Sequence, residues 1–235
     1  MVSSIISEFV EAARKSFQDD LISVILFGSA AEDKLRASSD VNVLLVLRNF
    51  SMAKADSFCT PMRMAHVAGR VETMFLLESE IADAAEAFAV KFDDIERRRR
   101  VLYGVDIFAD IKIPRQAMKT RLRQVLLNIS LRLRERYAIS SQNEERLVEL
   151  LVEMAGPLRA SAASLLDLEG QKSSSPSEAL RSLSDSFGKE EFAKALDCMS
   201  QARGSETPNP GDAGKAIFSL MDMAKLMLER LARLA

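Results

Sequence analysis

Residues Leu21 to Leu47 read LISVILFGSAAEDKLRASSDVNVLLVL. The apolar runs Leu21 to Phe27 and Val41 to Leu47 are nearly unbroken, the pattern of strands covered on both faces, and so belong in the middle of a sheet. The first run ends in Gly28-Ser29. Glycine has no Cβ, so backbone N–H groups and the serine hydroxyl can approach phosphate oxygens there, helped by the positive end of a following helix. The same dipeptide also serves as a plain strand-to-helix turn with Ser29 as N-cap. Asp40 and Asn42 open the second run at spacing i, i+2, which points both side chains to one face, where a pair of carboxylates would hold Mg²⁺.

Working outward, Ile5, Ile6, Phe9, Val10, Ala13 and Phe17 recur at helical spacing, which predicts an amphipathic N-terminal helix and not a signal segment. Ser51 to Gly69 reads as helix interrupted at Thr60-Pro61, with proline in a first turn. Val71 to Leu77, Ala87 to Phe92 and Val105 to Phe108 read as further strands. From Pro114 the strand signal ends. Met118, Leu122, Val125, Leu126, Ile129, Leu133 and Tyr137 form one helical stripe, and Leu147, Leu150, Leu151, Met154, Leu158, Leu165 and Leu166 another. Gly170 to Ser177 and Gly204 to Gly214 are polar Pro/Gly/Ser-rich connectors. The expected fold class is α/β (α+β), a mixed sheet domain over 1–112 followed by an α-helical bundle over 113–235. The apolar last helix from Ile217, with Met223 and Met227, predicts a homodimer or partner surface.

The chain has 235 residues, 48% of them hydrophobic, enough for two modest cores. A net charge of −2 gives no global attraction to polyanions, so no bulk nucleic-acid binding is expected. Cys59, Cys198 and the single histidine, His66, assemble neither a disulfide framework nor a zinc site, which fits a reducing, cytoplasmic compartment. No run reaches the roughly 18 apolar residues of a membrane span.

Gly-Ser followed by Asp-x-[Asp/Glu] in an apolar strand resembles the polymerase-β-like nucleotidyltransferase superfamily, in particular small bacterial members related to kanamycin nucleotidyltransferase. The resemblance implies transfer of a nucleoside monophosphate from an NTP to a hydroxyl on a small molecule or protein. It implies Gly28 and Ser29 at the nucleotide and Asp40 on Mg²⁺. Two catalytic positions depart from the pattern. Asn42 replaces the second acid, and Lys91, on the strand expected at 87–92, falls where a third acid would stand. An ammonium there repels a divalent ion, or replaces it by pairing with Asp40 or a phosphate; a register shift would instead bring Asp93 into that place. Glu32-Asp33 stands where related proteins carry Arg-Gly. These departures predict weak or absent transfer, a pseudoenzyme with a degenerate active site. The rival reading is a non-catalytic interaction protein on the same scaffold. Arg97 to Arg100 reads as a solvated helix face paired to Asp93, Asp94 and Glu96 in preference to a phosphate patch. His66 is read as structural, and the absence of any later histidine excludes an Arg-x4–6-His ribonuclease in the bundle.

Overall fold

A computed structural model describes residues 2–32, 40–204 and 208–234, with side chains from Ser4 onward. Two compact units emerge: the residues up to Phe88 together with Phe92–Ile113, and Ala89–Lys91 together with the chain from Pro114.

In the first unit, α1 (Val2–Phe17) precedes β1 (Leu21–Phe27) and β2 (Val41–Leu47), which pair antiparallel. Helix α2 (Met52–Gly69) crosses to β3 (Val71–Leu77), parallel to β2, and β4 (Arg99–Gly104) lies antiparallel to β1 on its other side. The sheet order among the described residues is β3-β2-β1-β4. The central pair is buried on both faces, as its unbroken apolar sequence requires. One face packs Val24, Leu26, Val43, Leu45 and Leu47 against Phe9, Ala13 and Phe17 of α1 and Phe58 of α2. The other packs Ile25, Phe27, Leu44 and Val46 beneath Ala84, Ala85, Phe92, Ile95 and Phe108.

Phe58 meets Phe9, Phe17 and Phe75 with ring centroids 5.2, 5.4 and 6.4 Å away. Truncating it removes a fully buried ring and its edge-to-face partners. Phe58→Ala is therefore expected to cost about 3–5 kcal/mol in a denaturant titration, with little change in the slope.

Three expectations are corrected in this unit. The segment 87–92 is not a strand: α3 (Ile81–Ala87) and α4 (Ala89–Arg97) occupy it. Buried Ala84, Ala85, Ala89, Phe92 and Ile95 repeat at helical spacing, and alanine favours helix over strand. The last strand ends at Gly104, before 105–108; Asp106 then caps a 3₁₀ turn at Ile107–Ala109 by accepting the Phe108 N–H. The hydrogen bonds from Arg99 and that cap hold the Asp106 carboxyl below its ordinary range. Lastly, α2 runs unbroken through Pro61, capped at its end by Arg70 in the left-handed region.

In the second unit, α5 (Arg115–Ser140), α6 (Glu144–Leu168), α7 (Pro176–Phe187), α8 (Glu190–Arg203) and α9 (Asp212–Ala232) bury the predicted stripes. Asn143 and Ser175 cap α6 and α7 through their side-chain oxygens. Pro176, expected in a connector, is the first residue of α7, and in the second connector residues 205–207 lie outside the described residues. Met223 and Met227, read from sequence as interface residues, are fully buried within this unit. No helix among the described residues is long and apolar enough to cross a membrane.

Candidate functional site

The corner after β1 is held by Arg98, the residue between α4 and β4. The Gly28 N–H donates to the Arg98 carbonyl at 2.9 Å, and the Arg98 guanidinium reaches Asp94 at 2.6 Å and Glu32 at 3.5 Å. Gly28 has φ +75, so a side chain at that position would be strained. A single 3₁₀ turn, Gly28–Ala30, follows. The described chain has no helix directly after the corner up to Glu32, and Asp33, the second residue of the acidic pair, lies outside the described residues. Gly28's own amide is spent on the sheet, so any phosphate contact at this corner falls to the amides and hydroxyl that come after it.

Asn42 pairs across the sheet with Phe27 on one side and, in the parallel β2–β3 ladder, with Glu72 on the other. Paired residues share a face, so the Asn42 amide and the Glu72 carboxylate project side by side. Asp40 sits at the mouth of the same ladder, where Val41 donates to the Arg70 carbonyl. The carboxylate that the fold sets beside Asn42 is thus Glu72, which the sequence reading missed. Its signal was present: Val71-Glu72-Thr73 places one carboxylate at the start of an otherwise apolar strand.

Each acid meets a basic side chain from the end of α2 or the residue after it. Arg70 Nε and Nη2 donate to Asp40 Oδ1 at 2.9 and 2.8 Å. His66 Nδ1 stands 3.2 Å from Glu72 Oε1. Asn42 Nδ2 lies 3.4 Å from the Asp40 carbonyl. These pairs are about half exposed, so each is weak and readily exchanged.

Lys91 and Asp93 belong to α4, so neither shares a strand face with Asp40. Asp93 is paired to Arg97 at 2.9 Å, four residues on. The arginine run straddles the end of α4 and the start of β4. Arg97 and Arg98 make the expected i, i+4 pairs, whereas Arg99 turns to Asp106 at 2.8 Å and lies over the Phe108 ring.

Mg²⁺ favours several oxygen ligands, carboxylates among them. Asp40 supplies a carboxylate paired with Arg70, Glu72 one in contact with the His66 imidazole, and Asn42 an amide. No cluster of three or more His, Cys, Asp or Glu suited to a metal occurs among the described residues.

No family model matches the chain. Over 56 residues it is 39% identical to a protein of Methanocaldococcus jannaschii described as a putative protein adenylyltransferase, an alignment taking in 24% of this chain and 38% of that one. The chain thus spans well under half the length of this curated relative. Its fold matches spectinomycin adenyltransferase AAD(9) from Enterococcus faecialis, solved with ATP and spectinomycin. That match has a TM-score of 0.67 at 12% identity and covers 98% of this chain and 99% of the other. At that identity the likeness is one of fold. With β1, its Gly-Ser corner and the Asp40-Val41-Asn42 strand in place, the fold of this chain is nucleotidyltransferase-like, and the local sequence match is to a protein described as a putative adenylyltransferase.

Proposed function

We propose that this protein binds a nucleoside triphosphate, with Gly28 and Ser29 at the phosphates and Asp40, Asn42 and Glu72 along the adjoining rim. On this reading, metal-dependent transfer of a nucleoside monophosphate to a hydroxyl acceptor is weak or absent. One observation carries it: Asn42 stands beside two carboxylates, Asp40 already paired with Arg70 and Glu72 in contact with the His66 imidazole. An attacking hydroxyl needs a base, and the growing charge on the α-phosphate needs cations. Glu72 is placed to accept the proton, and Arg70 is the cation at hand. A guanidinium binds phosphate oxygens well but does not bridge nucleophile and leaving group as paired metal ions do. The AAD(9) structure holds ATP and spectinomycin, which supports a nucleotide here and leaves the acceptor of this chain a small molecule or a protein.

Thermal unfolding with ATP, in EDTA and in Mg²⁺, tests nucleotide binding. The expected result is a saturable rise in Tm already present in EDTA, since a ligand at a hundred times its Kd adds about 2.7 kcal/mol. No rise in either condition would refute nucleotide binding. Incubation with NTP, Mg²⁺ and aminoglycosides is expected to yield no adduct. Robust turnover abolished by Asp40→Ala would overturn the inactive reading and leave the nucleotide site standing.

A second reading, a non-catalytic interaction protein in a reducing cytoplasm, draws on Leu127, Leu131 and Ile139 of α5 and Phe218 of α9, which are all exposed. Light scattering showing a strict monomer at high concentration would count against a homodimer.

A further inference from the structure

Within the helical unit, α6, α7 and α8 enclose a small solvent-reaching cavity of about 30 Å³. Arg159 lines it from α6, Ser177 and Arg181 from α7, and Ser200 from α8, over a floor that includes Leu196 and Met199. Of the seven lining residues two are cationic and none is acidic. The Arg159 Nε–H is buried and has no hydrogen-bond partner. A buried donor left unmade costs about 1–3 kcal/mol, and no protein group accepts from this one. Arg181 does have a partner, Asp197 at 2.9 Å on α8, but both side chains are more than half exposed and the pair is easily displaced. Ser177 is the second residue of α7, at the positive end of the helix dipole, where Pro176 has no N–H and the Glu178 N–H is already taken by Ser175 Oγ.

A water molecule would fit the volume, but it would answer only the orphaned N–H. Two guanidinium groups, two hydroxyls and a helix N-terminus, with no carboxylate in the lining, match a group that carries several acceptor oxygens and negative charge. We infer that this cavity is a binding site for a phosphoryl group, free or borne by a small phosphomonoester, separate from the Gly28 corner. The tetrahedral oxyanion seats one oxygen on Arg159 and others towards Ser177, Ser200 and Arg181. A planar carboxylate, with two oxygens, leaves part of this lining unmatched.

The test is a titration of the full chain with inorganic phosphate at constant ionic strength, followed by Tm and by amide shifts of α6–α8. Acetate and chloride serve as controls, and AMP serves as the phosphomonoester arm. The expected result is a saturable response to phosphate and not to acetate or chloride. Arg159→Gln should weaken it by about tenfold or more, the scale of one lost charge-assisted hydrogen bond. Arg181→Gln should weaken it less, and Ser200→Ala, a change small enough to keep the packing, should weaken it measurably. Stronger α6–α8 amide shifts with AMP than with phosphate assign the site to phosphomonoesters, and equal shifts assign it to the free ion; this arm is read from the shifts alone, because AMP at the Gly28 corner would raise the Tm too. A response that does not saturate, is matched by acetate, or survives Arg159→Gln in a folded protein means an adventitious ion only; each of these overturns the proposal. The Gly28 corner is unaffected by any of them, because its ATP response is measured on the Arg159 variant as well.

Discussion

Asn42→Asp alone is expected to create divalent-metal binding in this protein, read by calorimetric titration of Mn²⁺ or Mg²⁺. The change adds a carboxylate between Asp40 and Glu72, in register with the latter on the neighbouring strand. A unit charge about 4 Å from a divalent ion contributes roughly 8 kcal/mol at an effective dielectric near 20, an upper bound that solvent at this half-exposed rim cuts severely. A gain of about ten- to a hundredfold in affinity is the realistic scale, equal to about 1.4–2.8 kcal/mol. Arg70→Ala in the same background removes the cation on Asp40 and should add to the gain non-additively, since both changes act on one site. Lys91→Glu should add nothing, because Lys91 projects from α4 and not from a strand beside Asp40. A gain that required Lys91→Glu, or none in the Asn42→Asp, Arg70→Ala double variant, would show that Glu72 is not the third ligand.

The contrast between Glu72 and Lys91 shows where a single sequence is legible. β1, β2 and β3 carry four or five apolar residues in succession, so their bounds could be read directly, and in the central pair burial on two faces leaves little freedom of composition. β4 is the opposite case: an edge strand beginning Arg99-Arg100 whose charges are satisfied by side chains beyond the strand, Asp106 among them, so its sequence reads as a charge run. The helix over 89–97 was hidden for a related reason. Ala-Phe-Ala-Val-Lys-Phe is a short, nearly continuous apolar run that suits a buried strand as well as a helix, and only the longer window from Ala84 to Ile95 separates the two. Asp40 and Asn42 could be paired from spacing alone, since i and i+2 on one strand share a face. Glu72 could not, because its pairing with Asn42 depends on the register of two strands separated by a helix. That register is set by packing, not by local sequence.

Gly104→Ala is the substitution expected to damage the first unit most. Gly104 has φ +78, and a Cβ there would fall 1.9 Å from the Ile22 carbonyl oxygen and 2.9 Å from its carbon. Both neighbours are backbone of β1, so no side-chain rotation relieves the overlap. The strands must part or the chain must twist at a residue that L side chains rarely place at positive φ, a penalty of about 1–2 kcal/mol before any overlap is counted. The contact is close because β1 and β4 are stapled there. Ser23, a polar residue in an apolar strand, is fully buried and donates through Oγ to the carbonyls of Tyr103 and Val105 at 3.1 and 2.7 Å. Val105 in turn donates to Ile22. Losing this join exposes the buried hydroxyl and frees β4, whose Arg98 end holds the Gly28 corner. The expected loss is about 4 kcal/mol or more in denaturant titration, with faster hydrogen exchange at Val24, Tyr103 and Gly28 ahead of the helical unit. Ser23→Ala removes the staple without the overlap and should cost about 1–3 kcal/mol. If Gly104→Ala costs no more than Ser23→Ala, the close approach of Gly104 to Ile22 is not what fixes β4 to the sheet.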